Sequence, residues 1–403
     1  MARKLYPDKW LFLATVGLAL FGLVMVYSAS AITAQKENGT QYYYVGKQAM
    51  WTGIGLLAMF ITMQIDYTWL RNRRIVYALL VLTALMLLAV FGFSPINGAR
   101  RWIKLRMFSI QPSEISKLTL TIFLAYFLEQ RAGEEGSFLK TFVPCALVTG
   151  ALALLVVAEP DLGTALMLAV IFVMVIYTAG ARLSHLGIAA APALIGVAGL
   201  LLFVPWRIRR LTTFLDPWAD PQGNSYQVVQ SLIAVGSGGA HGLGFAQGKQ
   251  KLFFLPFAHS DFIFAVIGEE LGLAGAFGVI LVFALFLWRG IRTALRAPDR
   301  FGMLLSLGLV TGIVAQALFN ISVVLALVPT KGIPLPFISY GGSSMVPTLA
   351  AVGILLNISQ YAGGSLDLEL LRSLAASRKK APARVQLGVT TPVTSRLISS
   401  WFG

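Results

Sequence analysis

WLFLATVGLALFGLVMVYSASA, residues 10–31, decides how the chain is read. From Trp10 to Tyr27 it carries no charged residue and no proline. Arg3, Lys4 and Lys9 precede it and Ser28-Ala29-Ser30-Ala31 follows, which is the outline of a secretory signal peptide. The apolar run is too long for one: such a core spans roughly 7–15 residues, whereas a bilayer crossing takes about 20. The stretch is therefore read as a retained first membrane span.

Comparable runs recur along nearly the whole chain. Of 403 residues, 57% are hydrophobic and 12% charged, against about 25% charged in soluble domains. The runs do not alternate apolar with polar residues, so a β-barrel is excluded and the fold class is an all-α polytopic membrane protein. Ten transmembrane helices are expected, at about 10–32, 45–64, 75–94, 111–130, 141–159, 161–180, 183–205, 261–287, 302–328 and 342–361. Gln111-Pro112 opens the fourth, since proline suits the first helical position. Glu159-Pro160-Asp161 is a tight hairpin between the fifth and sixth. The single cysteine, Cys145, excludes an intrachain disulfide and a cysteine metal cluster. The Asn38-Gly39-Thr40 sequon reads as coincidental.

The transmembrane domain covers 1–362, with one long loop at 206–260 between spans seven and eight. That loop holds a glycine-rich segment from Gly236 to Gly248 which fits neither G-x-G-x-x-G nor a P-loop, so no nucleotide site is expected. The tail, 363–403, carries six Lys/Arg and two acids and reads as a disordered basic extension. An even number of spans puts both termini on one side. With the termini cytoplasmic, 19 Lys/Arg lie inside and 12 outside, and without the tail the count is 13 to 12, so basic-residue asymmetry is nearly silent.

The external cations are nonetheless clustered. Arg100, Arg101, Lys104 and Arg106 crowd one short loop, and Arg207, Arg209 and Arg210 another. Two readings stand: contact with lipid head groups, or a fixed phosphate or pyrophosphate held by bidentate hydrogen bonds. No feature points to nucleic acid.

Acids at membrane depth are costly and are candidate functional groups. Glu114 and Lys117, spaced i, i+3, face each other on one helix, either as a self-neutralising pair or as part of a site. Glu269 and Glu270 point in different directions, roughly 80° and 180° round from Asp261. Both are expected to pair with Lys117 or an arginine. Asp261 stands where the polar loop meets a helix, with Ser260 as a candidate N-cap. It is either a simple cap or a base at the water–lipid boundary. A helix N-terminus lowers a carboxyl pKa, whereas a strong general base needs it raised.

Several blocks, in order, resemble those of the SEDS (FtsW/RodA/SpoVE) family. They include Asn97-Gly98-Ala99-Arg100-Arg101-Trp102-Ile103, Gln111-Pro112-Ser113-Glu114, Glu159-Pro160-Asp161-Leu162-Gly163-Thr164 and Asp216-Pro217-Trp218, then Gly223-Asn224-Ser225-Tyr226-Gln227 and Gln230-Ser231. The tract Pro329-Thr330-Lys331-Gly332-Ile333-Pro334-Leu335-Pro336-Phe337-Ile338-Ser339-Tyr340-Gly341-Gly342-Ser343-Ser344, with Asn320 upstream, is similar to the family's signature. Pro329-Thr330-Lys331-Gly332 is closer to the FtsW and SpoVE branches than to RodA.

The resemblance implies ten spans in the bacterial inner membrane, cytoplasmic termini, and a peptidoglycan glycosyltransferase that polymerises lipid II during septal cell-wall synthesis. It implies an FtsI-type class B penicillin-binding protein as partner, with other division proteins. It makes Asp261 the catalytic residue. Candidate substrate-binding residues are then Arg100, Arg101, Lys104, Glu114, Lys117, Arg207, Arg210, Gln230, Ser231, Lys331 and Ser343. No cofactor is assigned; a divalent cation, Mg or Mn, could assist the leaving group, although no Asp-x-Asp pattern is present to hold it. A lipid II flippase and a non-catalytic division scaffold remain alternatives.

Overall fold

A computed structural model describes residues 6–95, 99–104, 109–202, 214–223 and 225–361. Arg106, Arg207, Arg209, Arg210 and the tail lie outside the described residues. Eleven α-helices are described: α1 (Lys9–Asn38), α2 (Tyr43–Gln64), α3 (Arg73–Ala89), α4 (Pro112–Gln130), α5 (Val143–Ala158), α6 (Leu162–Thr178), α7 (Leu183–Leu202), α8 (Tyr226–Ser237), α9 (Ile263–Leu295), α10 (Arg300–Val324) and α11 (Gly342–Ser359). Ten stand where the apolar runs place spans. Among the described residues, six helical segments are long and apolar enough to cross a bilayer, beginning with Lys9–Asn38 and ending with Gly342–Ser359. The chain is an all-α polytopic membrane protein; the one sheet among the described residues pairs β1 (Ile103–Lys104) with β2 (Ser109–Ile110).

Local chemistry sets the helix ends. Asp8 caps α1 by accepting from Leu11 N at 3.0 Å, and Gly39 ends it with φ 73°. Pro112 is the first residue of α4, as its missing N–H and fixed φ favour. Asp161 caps α6, accepting from the backbone N–H of Thr164 at 3.3 Å and its hydroxyl at 2.7 Å. The helices then pack by apolar surface: α2 along α11, α9 against α1 and α10, α10 against α4 and α6. Large side chains such as Leu13, Leu57, Leu85 and Leu281 remain exposed, as a lipid-facing surface requires.

The connections gather at two ends of the bundle. At one, Asp8 pairs with Arg289, Tyr67 donates its N–H to Asn357 Oδ1 at 2.9 Å, and Arg300 pairs with Glu135. At the other lie the β1–β2 hairpin, the Glu159–Asp161 turn, the loop before α9 and the tract 329–341.

Two features of the long loop depart from expectation. It contains α8, whose buried Val228, Val229, Ser231 and Ala234 give it an inner face, though twelve residues are too few to span. And α9 is broken at Gly272 (φ 66°, ψ −163°). The freed backbone groups are taken up by the glycine-rich loop: Leu243 N and Gly244 N donate to the carbonyls of Glu269 and Glu270, both at 3.0 Å, and Leu273 N donates to Gly239 O at 2.9 Å. A buried break of this kind is tolerated only where such partners replace the helical bonds. A side chain at 272 would meet Gly242 N at 2.3 Å.

The deeper acids serve this join, which corrects the expectation that Lys117 or an arginine pairs with them. Glu269 accepts from Lys249 N at 2.7 Å and Gln250 N at 3.1 Å. Glu270 accepts from Lys251 Nζ at 2.6 Å, Ser28 Oγ at 2.7 Å and Ala246 N at 3.0 Å. The loop folds back over its own helix, which brings Lys251 into a buried pair.

Candidate active site

Asp261 is held by its backbone. Its carbonyl accepts from Asn320 Nδ2 at 2.8 Å, and the same amide nitrogen donates to Ile333 O at 2.7 Å, so α10 clips the loop to the tract 329–344. Ser339 Oγ adds a bond to Ser260 O at 2.6 Å. The side chain lies against Gly332, where an added Cβ would sit 2.6 Å from Asp261 Oδ2.

The expected cap is not made. The helix begins at Ile263, Phe262 occupies the cap position without a side-chain hydrogen bond, and Ser260 Oγ bonds Phe257 O instead. Asp261 therefore sits in the turn ahead of the helix, and its carboxylate has no hydrogen-bond partner among the described residues. Burial pushes its pKa up to about 6, although Arg101 and Lys331 pull the other way and Asp161 assists. Desolvation of the charged form outweighs the nearby cations here.

Asp261 opens onto a cavity of about 860 Å³. Arg101, Glu114, Lys117, Asp161, Lys331 and Ser343 share its wall. Arg101 donates Nε to Glu159 O at 3.2 Å and Nη2 to Pro160 O at 2.6 Å, so its fork is seated on the α5–α6 turn. Lys331 Nζ reaches Pro160 O at 3.3 Å and Asp161 Oδ1 at 3.6 Å. Glu114 and Lys117 form the expected pair at 2.8 Å, and Lys117 also donates to Gln316 Oε1. A narrow apolar cleft between α4, α6, α10 and α11 leads away from these last three residues.

Other sequence candidates lie elsewhere. Arg100 is exposed and donates to Phe91 O at 3.0 Å, and Lys104 is exposed on β1; neither lines the cavity. Ser231 is buried with its hydroxyl on Val324 O at 2.7 Å, and Gln227, one turn earlier than Gln230, lines the cavity instead. Sequence reasoning passed over Gln111, which reaches Asp161 Oδ2 at 3.4 Å, and the aromatic wall of Trp51, His259 and Tyr340. Glu159, like Asp161 an acid at membrane depth and so a functional candidate from the sequence, is strongly perturbed. That carboxyl is fully buried with both oxygens unpartnered among the described residues, and burial with the Asp161 charge pushes its pKa up to about 8 against Arg101. Among the described residues, no three His, Cys, Asp or Glu side chains converge to hold a metal.

The family model described as "Cell cycle protein" (FtsW/RodA/SpoVE) matches residues 9–363. Stage V sporulation protein E of Bacillus subtilis is 42% identical over 360 residues, covering 89% of this chain and 98% of that protein. A probable peptidoglycan glycosyltransferase FtsW of Geobacter metallireducens is 40% identical over 363 residues, 89% and 96% of the two chains. Among solved structures, a chain of a peptidoglycan synthase complex that coordinates polymerisation and crosslinking superposes with TM-score 0.73 at 30% identity, covering 89% and 98%. The rod shape determining protein RodA of Thermus thermophilus superposes with TM-score 0.64 at 28% identity, covering 88% and 96%. On sequence over nearly its whole helical bundle, and on the fold of that bundle, this chain belongs to the FtsW/RodA/SpoVE family.

Proposed function

We propose that the chain is a peptidoglycan glycosyltransferase that polymerises lipid II, with Asp261 as general base. The observation that carries this reading is a carboxylate with no hydrogen-bond partner among the described residues, facing a cavity whose wall presents Arg101 and Lys331, with burial pushing its pKa up to about 6. Such a group is ionised at pH 7 and still basic enough to accept a proton.

The donor is a sugar linked α to undecaprenyl pyrophosphate, and the product linkage is β-1,4. A single displacement inverts that centre, so one base is sufficient and no covalent nucleophile is needed. Asp261 takes the proton of the acceptor 4-hydroxyl as the pyrophosphate leaves. Arg101 retains donors beyond the two used on the turn, and with Lys331 it places fixed positive charge where the leaving group gathers negative charge. Ser343, in the first turn of α11, adds a hydroxyl to the same wall. Arg100 and Lys104, exposed and off the cavity wall, serve as outer attraction for the anionic substrate. The apolar cleft beside Glu114, Lys117 and Gln316 suits part of a polyprenyl chain. Residues 1–362 are the proposed catalytic domain, and the long loop at 206–260 contributes Gln227, His259 and Ser260 to the cavity wall. Among the described residues no three carboxylate, histidine or cysteine side chains converge on the cavity, and no residue is assigned to a divalent cation.

The cavity end faces away from the cytoplasm, with both termini inside, and the chain works at the septum with a crosslinking class B penicillin-binding protein. The structural relative from a polymerisation and crosslinking complex supports that pairing. The test is polymerisation of lipid II in detergent by the purified chain with its partner. Detergent abolishes the second compartment a flippase needs, so glycan polymer there requires catalysis. Asp261→Asn should lower the rate at least ~10²-fold, and the wild-type rate should fall as pH drops below about 6. Near-normal polymer from Asp261→Asn would remove Asp261 from the mechanism.

A further inference from the structure

Three aromatic side chains from distant segments meet beside the cavity, two of them, His259 and Tyr340, on its wall. Tyr44 belongs to the first turn of α2, His259 to the turn that carries Asp261, and Tyr340 to the tract before α11. The His259 ring lies 4.6 Å from that of Tyr44 and 5.5 Å from that of Tyr340, and the two tyrosines meet edge to face at 5.2 Å. The cluster is braced from behind. Tyr44 donates its hydroxyl to Glu37 Oε2 at 2.8 Å, and Tyr340 N donates to His259 O at 2.9 Å.

Core packing alone does not account for it. Tyrosine and histidine tips in protein interiors ordinarily find hydrogen-bond partners. Among the described residues, the hydroxyl of Tyr340 and both ring nitrogens of His259 have none, and both side chains line the cavity, with the Tyr340 ring also packed on the core. Burial holds the His259 pKa down at about 4 against the pull of Glu37, so the ring is neutral and offers one donor and one acceptor. A rigid aromatic face edged with unused donors and acceptors is complementary to a pyranose ring, which has an apolar C–H face and a rim of hydroxyls.

We propose that His259 and Tyr340, backed by Tyr44, form a sugar-binding subsite that stacks against the acceptor pyranose and hydrogen-bonds its rim, presenting the reactive hydroxyl to Asp261. That this sugar is the acceptor rests on Asp261 being the base; the binding of a sugar ring does not.

The experiment uses the purified full-length protein in detergent and a soluble, lipid-free N-acetylglucosamine–N-acetylmuramyl peptide as probe, read by saturation-transfer NMR. Wild type and Asp261→Asn should both transfer saturation to one face of a pyranose ring. Tyr340→Phe, which keeps the ring and loses the hydroxyl, should weaken this binding about two- to threefold, and Tyr340→Leu at least about fivefold. His259→Phe keeps ring area but removes both nitrogens, and it should weaken binding severalfold and raise KM for acceptor more than it lowers kcat. Absence of transfer to wild type at millimolar probe overturns the proposal. So does equal affinity in wild type, Tyr340→Leu and His259→Phe. Should Asp261→Asn polymerise normally while Tyr340→Leu loses the probe, the base assignment fails and the subsite stands.

Discussion

Gly332→Ala tests whether the position of the Asp261 carboxylate, rather than its mere presence, sets the rate. The added methyl carbon would lie 2.6 Å from Oδ2, 3.3 Å from Cγ and 3.8 Å from Oδ1 of Asp261. Ordinary carbon–oxygen contact is about 3.4 Å, so the carboxylate must retreat by roughly 0.8 Å. Asn320 clamps the Asp261 backbone at 2.8 Å, which leaves the side-chain torsions to absorb the shift. A displacement near 1 Å from reacting geometry can cost about 10²-fold. Gly332 is exposed and its φ lies outside the left-handed region, so alanine brings no backbone strain and little change in stability. The expected outcome is kcat for lipid II polymerisation lowered about 10- to 100-fold with an unchanged melting temperature. Initial rates with the co-purified partner, beside a thermal melt, measure both. Wild-type kcat would refute the reasoning. Combining Gly332→Ala with Asp261→Asn should add no further loss, because the first acts only through the second.

Three further outcomes follow from the buried charges. Lys251→Met leaves Glu270 as an unpaired buried carboxylate and should destabilise by about 3–5 kcal/mol, whereas the double variant with Glu270→Gln should regain most of it; equal melting temperatures for wild type and Lys251→Met would sink this. Glu159, with its folded pKa pushed up to about 8 from the ordinary 4.5 of a glutamate, favours folding when protonated, a contribution fully present below about 4.5 and lost as pH rises through 8. Glu159→Gln should therefore melt like wild type near pH 5 and higher than wild type at pH 8, and parallel melting curves across that range would contradict it. Arg101→Lys cannot keep both carbonyl bonds of the guanidinium fork, so polymerisation should fall about tenfold or more while insertion is unchanged; equal rates across lipid II concentrations would return this loop to lipid anchoring.

What the sequence disclosed, and what it hid, divides by the range of the forces involved. Span positions were legible because an apolar run of the right length has one solution in a bilayer. Pro112 opening α4 and the Glu159-Pro160-Asp161 hairpin were legible because caps and turns are settled within a few residues. The Glu114–Lys117 pair was legible for the same reason, being one helical turn apart. The partner of Glu270 was not: helical geometry gives its direction, but Lys251 reaches it only because the glycine-rich loop folds back to the break at Gly272. Nor was α8, whose twelve residues are too short to give a span signal and sit among turn-forming residues.

Asp261 shows the division most clearly. Read locally, Ser260-Asp261 at the mouth of a helix is a capping sequence, and capping would depress the carboxyl pKa. Asn320, Ser339 and Gly332, which are 59, 78 and 71 positions further along the chain, decide otherwise. They tie the turn down ahead of the helix and seal one side of the carboxylate, so desolvation outweighs the dipole. The tract 329–344 thus contributes to Asp261 chiefly through a clamp on its backbone and a glycine against its side chain. A motif read as a list of reacting groups would single out Lys331 and Ser343. The structure gives equal weight to Gly332, whose missing side chain leaves the carboxylate its room.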